Sequence, residues 1–172
     1  MQYIARNSDS DFRLLFATRM ARMFAYGFLA VILALYLTQL GLGEVQVGVL
    51  FALTLAGDAV ISLGLTTNAD RLGRKRMLQA GAALMLLAGL VFAISRDYVL
   101  LTVVAIIGVI SPSGNEVGPF LAIEQAALTQ LIPNEKRTYT FAWYNLAGSF
   151  SAATGALVCG GILQLLLDSG MA

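Results

Sequence analysis

The chain has 172 residues, of which 58% are hydrophobic and 12% charged, and its formal net charge is +1. Soluble globular domains contain roughly 45–50% apolar and about 25% charged residues. The composition therefore predicts an integral membrane protein and argues against nucleic acid as a partner. The sequence has no His and only one Cys, Cys159, which excludes an intrachain disulfide and removes the usual zinc and imidazole chemistry. We expect no metal site, no cofactor and no enzymatic activity.

Five apolar segments follow one another along the chain. A bilayer core of about 30 Å requires about 20 apolar helical residues, and each segment meets or approaches that length. Short gaps rich in turn-forming and charged residues separate them, which predicts antiparallel neighbours. The sequence thus indicates an all-α, polytopic membrane bundle with five transmembrane helices, the first retained rather than cleaved, at residues 14–40, 45–67, 77–95, 98–131 and 139–167.

The basic residues predict the orientation of these helices. Cytoplasmic loops carry an excess of Lys and Arg. With a cytoplasmic N-terminus, Arg96 is the only one of the 11 basic residues that falls on the outer side. An odd number of spans then places the end of the chain, residues 168–172, outside.

Polar residues inside the first two spans are candidates for function, because they are costly in a membrane. Asp58 shares one face of the second helix with Thr54 and Ser62. It could carry a proton or contact substrate, but we favour a buried ion pair with Arg22 of the first helix, since two buried opposite charges on adjacent helices should meet. Tyr26 lies deeper in the first helix and is a candidate substrate contact, with packing as the equal alternative.

The fourth segment is interrupted by prolines and glycines around Asn115 and Glu116. A straight helix over 98–131 would be about 50 Å long, so the segment either projects from the membrane or is distorted. Interrupted transmembrane helices are a pointer to a transport site. We therefore expect Asn115 and Glu116 to bind substrate or protons, the alternative being a bent helix in which Glu116 is satisfied locally. Burial disfavours the charged form of a carboxyl, which suggests proton coupling through Glu116 and Asp58.

The fifth segment carries small residues every four positions, a pattern that lets two helix backbones approach closely. We interpret this ridge as helix packing. Trp143 and Tyr144, near the start of the segment, are predicted to anchor at the membrane interface. The ridge consists of Gly148, Ala152, Ala156 and Gly160.

The loop between the second and third segments is the most specific motif. It reads Asp70-Arg71-Leu72-Gly73-Arg74-Lys75. Together with the span spacing and the Pro-x-Glu-x-Arg type loop after the fourth segment, it resembles the N-terminal half of a major facilitator superfamily transporter. The family signature Gly-x-Leu-x-Asp-Arg-x-Gly-Arg-Lys is kept in its second half, whereas Thr66 and Asn68 replace its Gly and Leu. In that family the loop is a gate. The resemblance implies that Asp70 caps a helix of the opposite half and that the loop arginine pairs with acids on helix four.

The resemblance implies a transporter of twelve spans in two six-helix halves. The sequence is accordingly interpreted as an N-terminal fragment without the sixth helix and the C-terminal half. The expected function is secondary active transport of a small solute by alternating access, coupled to protons, in the plasma membrane or a bacterial cytoplasmic membrane. The expected partners are the lipid bilayer, the solute, protons and the missing half. An uncoupled facilitator, a non-transporting membrane subunit and a dimerising half-transporter are the alternatives.

Overall fold

A computed structural model of the chain describes residues 2–108 and 119–169. At residues 2–9, 69–72 and 119 it describes the backbone but not the side chains. The regular secondary structure of the described residues is all helical. The all-α class predicted from the sequence is confirmed. The long apolar runs form helices because, inside a bilayer, only internal hydrogen bonds can satisfy the backbone. The helices are α1 (Gln2–Gln39), α2 (Glu44–Leu72), α3 (Arg74–Ile94), α4 (Tyr98–Ile107), α5 (Pro119–Leu131) and α6 (Arg137–Asp168), with a 3₁₀ turn at Asn134–Lys136 before α6.

Within the described residues, four segments are long and apolar enough to cross a membrane: Ser10–Gln39, Glu44–Asn68, Arg74–Ile94 and Asn134–Asp168. The segment expected at 98–131 is described as two shorter helices, α4 and α5. Residues 109–118, on which the expected interruption falls, lie outside the described residues. The protein is a polytopic helical bundle.

Single glycines make two of the turns between helices. Gly41, between α1 and α2, has φ 80°, and Gly73, the only residue between α2 and α3, has φ 94°. Residues with a Cβ rarely adopt this left-handed region. The Gly of the loop motif is therefore required by the backbone itself, since it reverses the chain in one residue.

The helix ends fall into two groups. At one end, the Tyr36 hydroxyl donates to the Ser95 carbonyl at 2.9 Å and the Tyr98 hydroxyl to the Gln46 carbonyl at 3.2 Å. The other end, here called the basic end, carries Arg74, Lys75, Arg76, Lys136 and Arg137.

Each end of the bundle has its own apolar core. Away from the basic end, Leu33, Leu50 and Ala105 belong to a buried cluster built from α1, α2, α3 and α4. Towards the basic end, Leu128 and Tyr144 belong to a second cluster, in which α5 and α6 pack against the start of α1. The bundle is thus held together along its length, and its outer surface remains apolar, as expected for contact with lipid.

The most extensive helix contact is between α1 and α6, which run parallel. A Cβ added at Gly148 would lie 2.7 Å from the Arg19 side chain, and one at Gly155 would collide with the backbone of Phe24 and Phe28. Helices approach this closely only where side chains are absent.

The predicted ridge is only partly on this contact. Gly148 faces α1, and Ala152 lies with its backbone against Gly27 of α1, so a Cβ at Gly27 would collide with it. Ala156 is half-buried, whereas Gly160 is exposed and has nothing within 4 Å of an added Cβ. The backbone contact continues through Gly155, which is buried and which the four-residue spacing missed.

We predict that Gly155→Ala destabilises the protein by about 1–3 kcal/mol, because the added methyl group forces α1 away from α6. Thermal unfolding of the purified protein in detergent measures this. Gly160→Ala is the matched control on the same helix, and it should leave stability unchanged or slightly raised through helix propensity. Equal melting temperatures for the two variants would contradict the α1–α6 contact described here.

Candidate functional site

A buried ion pair joins α1 to α5. The Arg22 guanidinium donates from Nη1 to Glu124 Oε1 at 2.9 Å and from Nη2 to Glu124 Oε2 at 2.7 Å. The side chains of Arg22 and Glu124 are 9% and 2% exposed. This two-pronged geometry is the strongest that an arginine and a carboxylate form. The Arg22 guanidinium also lies 4.3 Å from the centre of the Phe120 ring, which is one turn before Glu124 on α5.

The α6 helix completes this cluster through Tyr144. The Tyr144 hydroxyl donates to Glu124 Oε2 at 2.6 Å, and the residue is 0% exposed. Arg19 lies 4.2 Å from the centre of the Tyr144 ring and donates from Nη2 to Asn145 Oδ1 at 3.2 Å. The α1 helix therefore meets the distant helices α5 and α6 at one set of polar side chains.

The interpretation of Tyr144 as an interface anchor is wrong. Its neighbour Trp143 is half-exposed. Tyr144, one helical position further on, points instead into the bundle, where its hydroxyl donates to Glu124. Adjacent residues on a helix face about 100° apart, so two neighbouring aromatic residues readily take opposite roles.

Asp58 lies apart from this cluster, on α2, and is 1% exposed. Neither of its carboxylate oxygens has a hydrogen-bond partner among the described residues. The Thr54 hydroxyl, one turn earlier, donates to the Leu50 carbonyl and does not serve Asp58. A carboxyl that is buried without a hydrogen-bond partner is costly to keep charged. Asp58 is therefore a candidate for binding a proton or a ligand.

The Arg22–Asp58 pair expected from the sequence is wrong, because Arg22 is held by Glu124. The reason is the packing of the helices. The α1 helix packs chiefly along α6, whereas the most extensive contact of α2 is with α4. Arg22 therefore faces α5 and α6, and proximity in sequence does not make α1 and α2 the closest partners.

Tyr26 lies one turn beyond Arg22 on α1 and is 0% exposed. Asn115 and Glu116, the residues expected to bind substrate or protons in the fourth segment, lie outside the described residues. Among those that are described, no group of three or more His, Cys, Asp and Glu residues is placed to hold a metal ion.

The loop motif lies at the basic end. The backbone of Asp70 and Arg71 belongs to the last turn of α2, and their side chains are not among those described. Arg74 donates to the Ala126 carbonyl of α5 at 3.2 Å, and Lys75 is exposed. Arg74 thus reaches a backbone oxygen of the fourth segment. The pairing of the loop arginine with acids on helix four, which the family resemblance implied, stays a prediction.

A second arginine holds the same helix end. Arg137, the first residue of α6, donates from Nη2 to the Thr129 carbonyl of α5 at 2.9 Å. The last carbonyls of a helix lack partners within the helix and carry partial negative charge, so cations are favourable there. The start of α6 is thus attached to the last turn of α5, and the start of α3 to the turn before it.

Sequence reasoning gave no role to Glu124, Arg19 or Asn145 and assigned Tyr144 the wrong one. A signal for Glu124 was present, because it falls four and eight residues after Phe120 and Glu116 and is a carboxylate in an apolar run. Its partner could not be read from the sequence, since that depends on which helices pack together.

Comparison with known proteins agrees with this architecture. Residues 15–167 match the Major Facilitator Superfamily. The chain is also 44% identical over 165 residues to the uncharacterized membrane protein YJR124C of Saccharomyces cerevisiae, a match that covers 96% of this chain and 37% of that protein. The chain therefore spans little more than a third of the length of the yeast relative. The match over nearly all of the sequence, together with the bundle of apolar helices and the loop motif, shows that this chain belongs to the major facilitator superfamily.

Proposed function

We propose that this chain is part of a secondary active transporter that moves a small solute across the plasma membrane by alternating access, coupled to protons. The observation that carries the proposal is the set of ionisable side chains buried within the helical bundle, namely Arg22 and Asp58 on membrane-crossing helices and Glu124 on α5. Such residues are expensive in a bilayer and mark substrate or ion pathways. Membership of the superfamily supports transport as the general class.

Asp58 is the proposed proton carrier among the described residues. Its carboxylate is buried and has no hydrogen-bond partner among them. Protonation would remove a charge that the surroundings do not compensate. Tyr26 and Arg22, on the helix that also packs against α5 and α6, are proposed to line the solute pathway. Asn115 and Glu116 are kept as proposed ligands on the sequence pattern alone.

Alternating access requires two bodies that rock around one site. We propose that the bundle described here is one of them and that the second is supplied by a further membrane domain. The proposed partners are thus the bilayer, the solute, protons and that second body. The loop motif at Asp70, Arg71, Gly73, Arg74 and Lys75 would then lie where the two bodies meet.

The test of coupling is Asp58→Asn in the full-length protein reconstituted in liposomes. Accumulation of solutes from a defined mixture of small metabolites is followed by mass spectrometry, with and without an imposed pH gradient. We expect the wild type to accumulate a solute only with the gradient. The variant, which keeps the shape of the neutral acid, should lose this accumulation but still exchange the same solute across the membrane.

Asp168→Asn, at the exposed end of α6, is the control and should behave as the wild type. Gradient-driven accumulation by Asp58→Asn at the wild-type level would assign Asp58 a structural role. Solute movement that ignores the gradient in the wild type would favour the uncoupled facilitator. No movement of any solute would favour the non-transporting subunit.

The Arg22–Glu124 pair gives a separate prediction. Glu124→Leu alone should destabilise the protein by about 3–5 kcal/mol, because it leaves the Arg22 charge buried without its carboxylate. The double variant Arg22→Leu and Glu124→Leu should regain most of this stability, since it removes both charges together. Unfolding in detergent measures the stability, and the transport assay then asks whether the stable double variant still works. A single variant as stable as the wild type would contradict the pairing.

The orientation gives a further prediction, that the basic end is cytoplasmic. In a Cys159→Ala background, single cysteines replace Thr138, near the start of α6, and Ser169, just after its end; both positions are exposed. A membrane-impermeant thiol reagent applied to intact cells should label Ser169→Cys and spare Thr138→Cys until the cells are permeabilised. The reverse pattern would invert the proposed topology.

A further inference from the structure

A crevice of about 610 Å³ opens between α1, α3 and α5 towards the basic end of the bundle. On α1 it extends from Asp11 to Arg22, which corresponds to about 16 Å along the helix axis. It begins at the first turn of α3, where the membrane-crossing part of that helix starts. The crevice therefore runs from the membrane surface into the apolar layer.

The mouth of this crevice is positively charged. Arg74 and Lys75 line it from α3, and Asp11 is the carboxylate that lines it from α1. Lys75 is exposed, so its ammonium group is available to a ligand at the mouth. The first turn of α3 contains no acidic residue, and its N-cap residue is Gly73, which has no side chain to cap it. An anionic group at the mouth would therefore meet mainly cations.

The interior of the crevice is neutral and mostly apolar. Leu78 and Ala82 of α3 and Phe120 of α5 line it below the mouth. Arg22 and Glu124 line its inner part, but these two charges neutralise each other in the ion pair described above. A charged solute gains nothing from such an interior, whereas a hydrocarbon chain fits it.

This distribution of charge and apolar surface matches one class of molecule in the surroundings of the protein. An anionic phospholipid carries a negative headgroup at the membrane surface and acyl chains directed into the apolar layer. Basic recesses between transmembrane helices on the cytoplasmic side are suited to such headgroups. We propose that the crevice between α1, α3 and α5 binds an anionic phospholipid, with its phosphate at Lys75 and Arg74 and an acyl chain along Leu78 and Phe120.

Arg74 gives the proposed lipid a structural consequence. Its guanidinium donates to the Ala126 carbonyl of α5 and also lines the mouth. A phosphate at that position would add a further acceptor beside the carbonyl. The lipid would then connect α3 to α5 at the same helix end that Arg137 attaches to α6.

The test uses the full-length protein purified in detergent, with phosphatidylglycerol and phosphatidylcholine of identical acyl chains as probes and native mass spectrometry as the readout. We expect one phosphatidylglycerol per protein to be retained at concentrations at which phosphatidylcholine is lost. Lys75→Gln should weaken this retention about fivefold, the effect of one basic residue near an anionic headgroup. Ala82→Phe should weaken it by filling the apolar interior.

The controls distinguish a specific lipid-binding site from general electrostatic attraction of the lipid to the protein surface. Arg76→Gln removes the adjacent exposed cation, which does not line the crevice, and should leave retention unchanged. Asp11→Asn removes the carboxylate at the mouth and should strengthen retention, a change of opposite sign that loss of folding cannot produce.

Four results would overturn the proposal. The first is equal retention of the two lipids, which would show that the crevice binds acyl chains without recognising the charge of the headgroup. The second is an equal effect of Lys75→Gln and Arg76→Gln, which would indicate diffuse surface attraction. The third is displacement of the lipid by millimolar inorganic phosphate, which would point to a site for soluble anions. The fourth is no retained lipid in the wild type, which would mean that another part of the full-length protein occupies the crevice.

Discussion

The need to satisfy charged side chains away from water is the constraint on which this structure depends. Arg22 and Glu124 are each costly in a bilayer, and only together, with the Tyr144 hydroxyl as a third member, do they form a compensated set. The members come from α1, α5 and α6. The cluster therefore acts as a fixed point around which these helices are aligned. Apolar packing alone would distinguish poorly among similar helices, since lipid tails are as apolar as the side chains they meet.

Close backbone contact provides the second means of holding the helices in place. Along α1 and α6, Gly27 and Gly155 let the two backbones touch, and Gly148 makes room for the Arg19 side chain. Dispersion forces operate at full strength in such close contacts. The polar cluster and the glycine contact reinforce each other, since Arg19 lies against both Gly148 and Tyr144. At the basic end, Arg74 and Arg137 hold α5 through its carbonyl oxygens.

Asp58 takes part in none of these three contacts: the polar cluster, the glycine contact and the arginines bound to α5. Its buried carboxyl has no hydrogen-bond partner among the described residues, which is why its role as a proton carrier is proposed rather than a structural one.

The sequence was sufficient for the fold class, because twenty-residue apolar runs in a bilayer have only the helix available to them. It also located the turns, where Gly73 had to be a glycine for conformational reasons. It was insufficient wherever the result depended on which helices are neighbours. Asp58 and Arg22 lie on consecutive helices and carry opposite charges, yet α1 packs along the distant α6, and Arg22 pairs with a carboxylate 102 residues away. Tyr144 and Gly155 were misjudged or missed for the same reason. Periodicity defines the face of a helix but not what that face meets.

The long separation of these partners has a consequence for how the protein is made. Arg22 enters the membrane with the first helix, but Glu124 follows 102 residues later and Asn145, the partner of Arg19, 126 residues later. At about 5–20 residues per second, translation leaves both arginines in the bilayer for roughly 5–25 seconds before their partners emerge. During that interval α1 lacks these two contacts with the later helices. The polar contacts that align α1 with α5 and α6 therefore form only after most of the described chain has been synthesised.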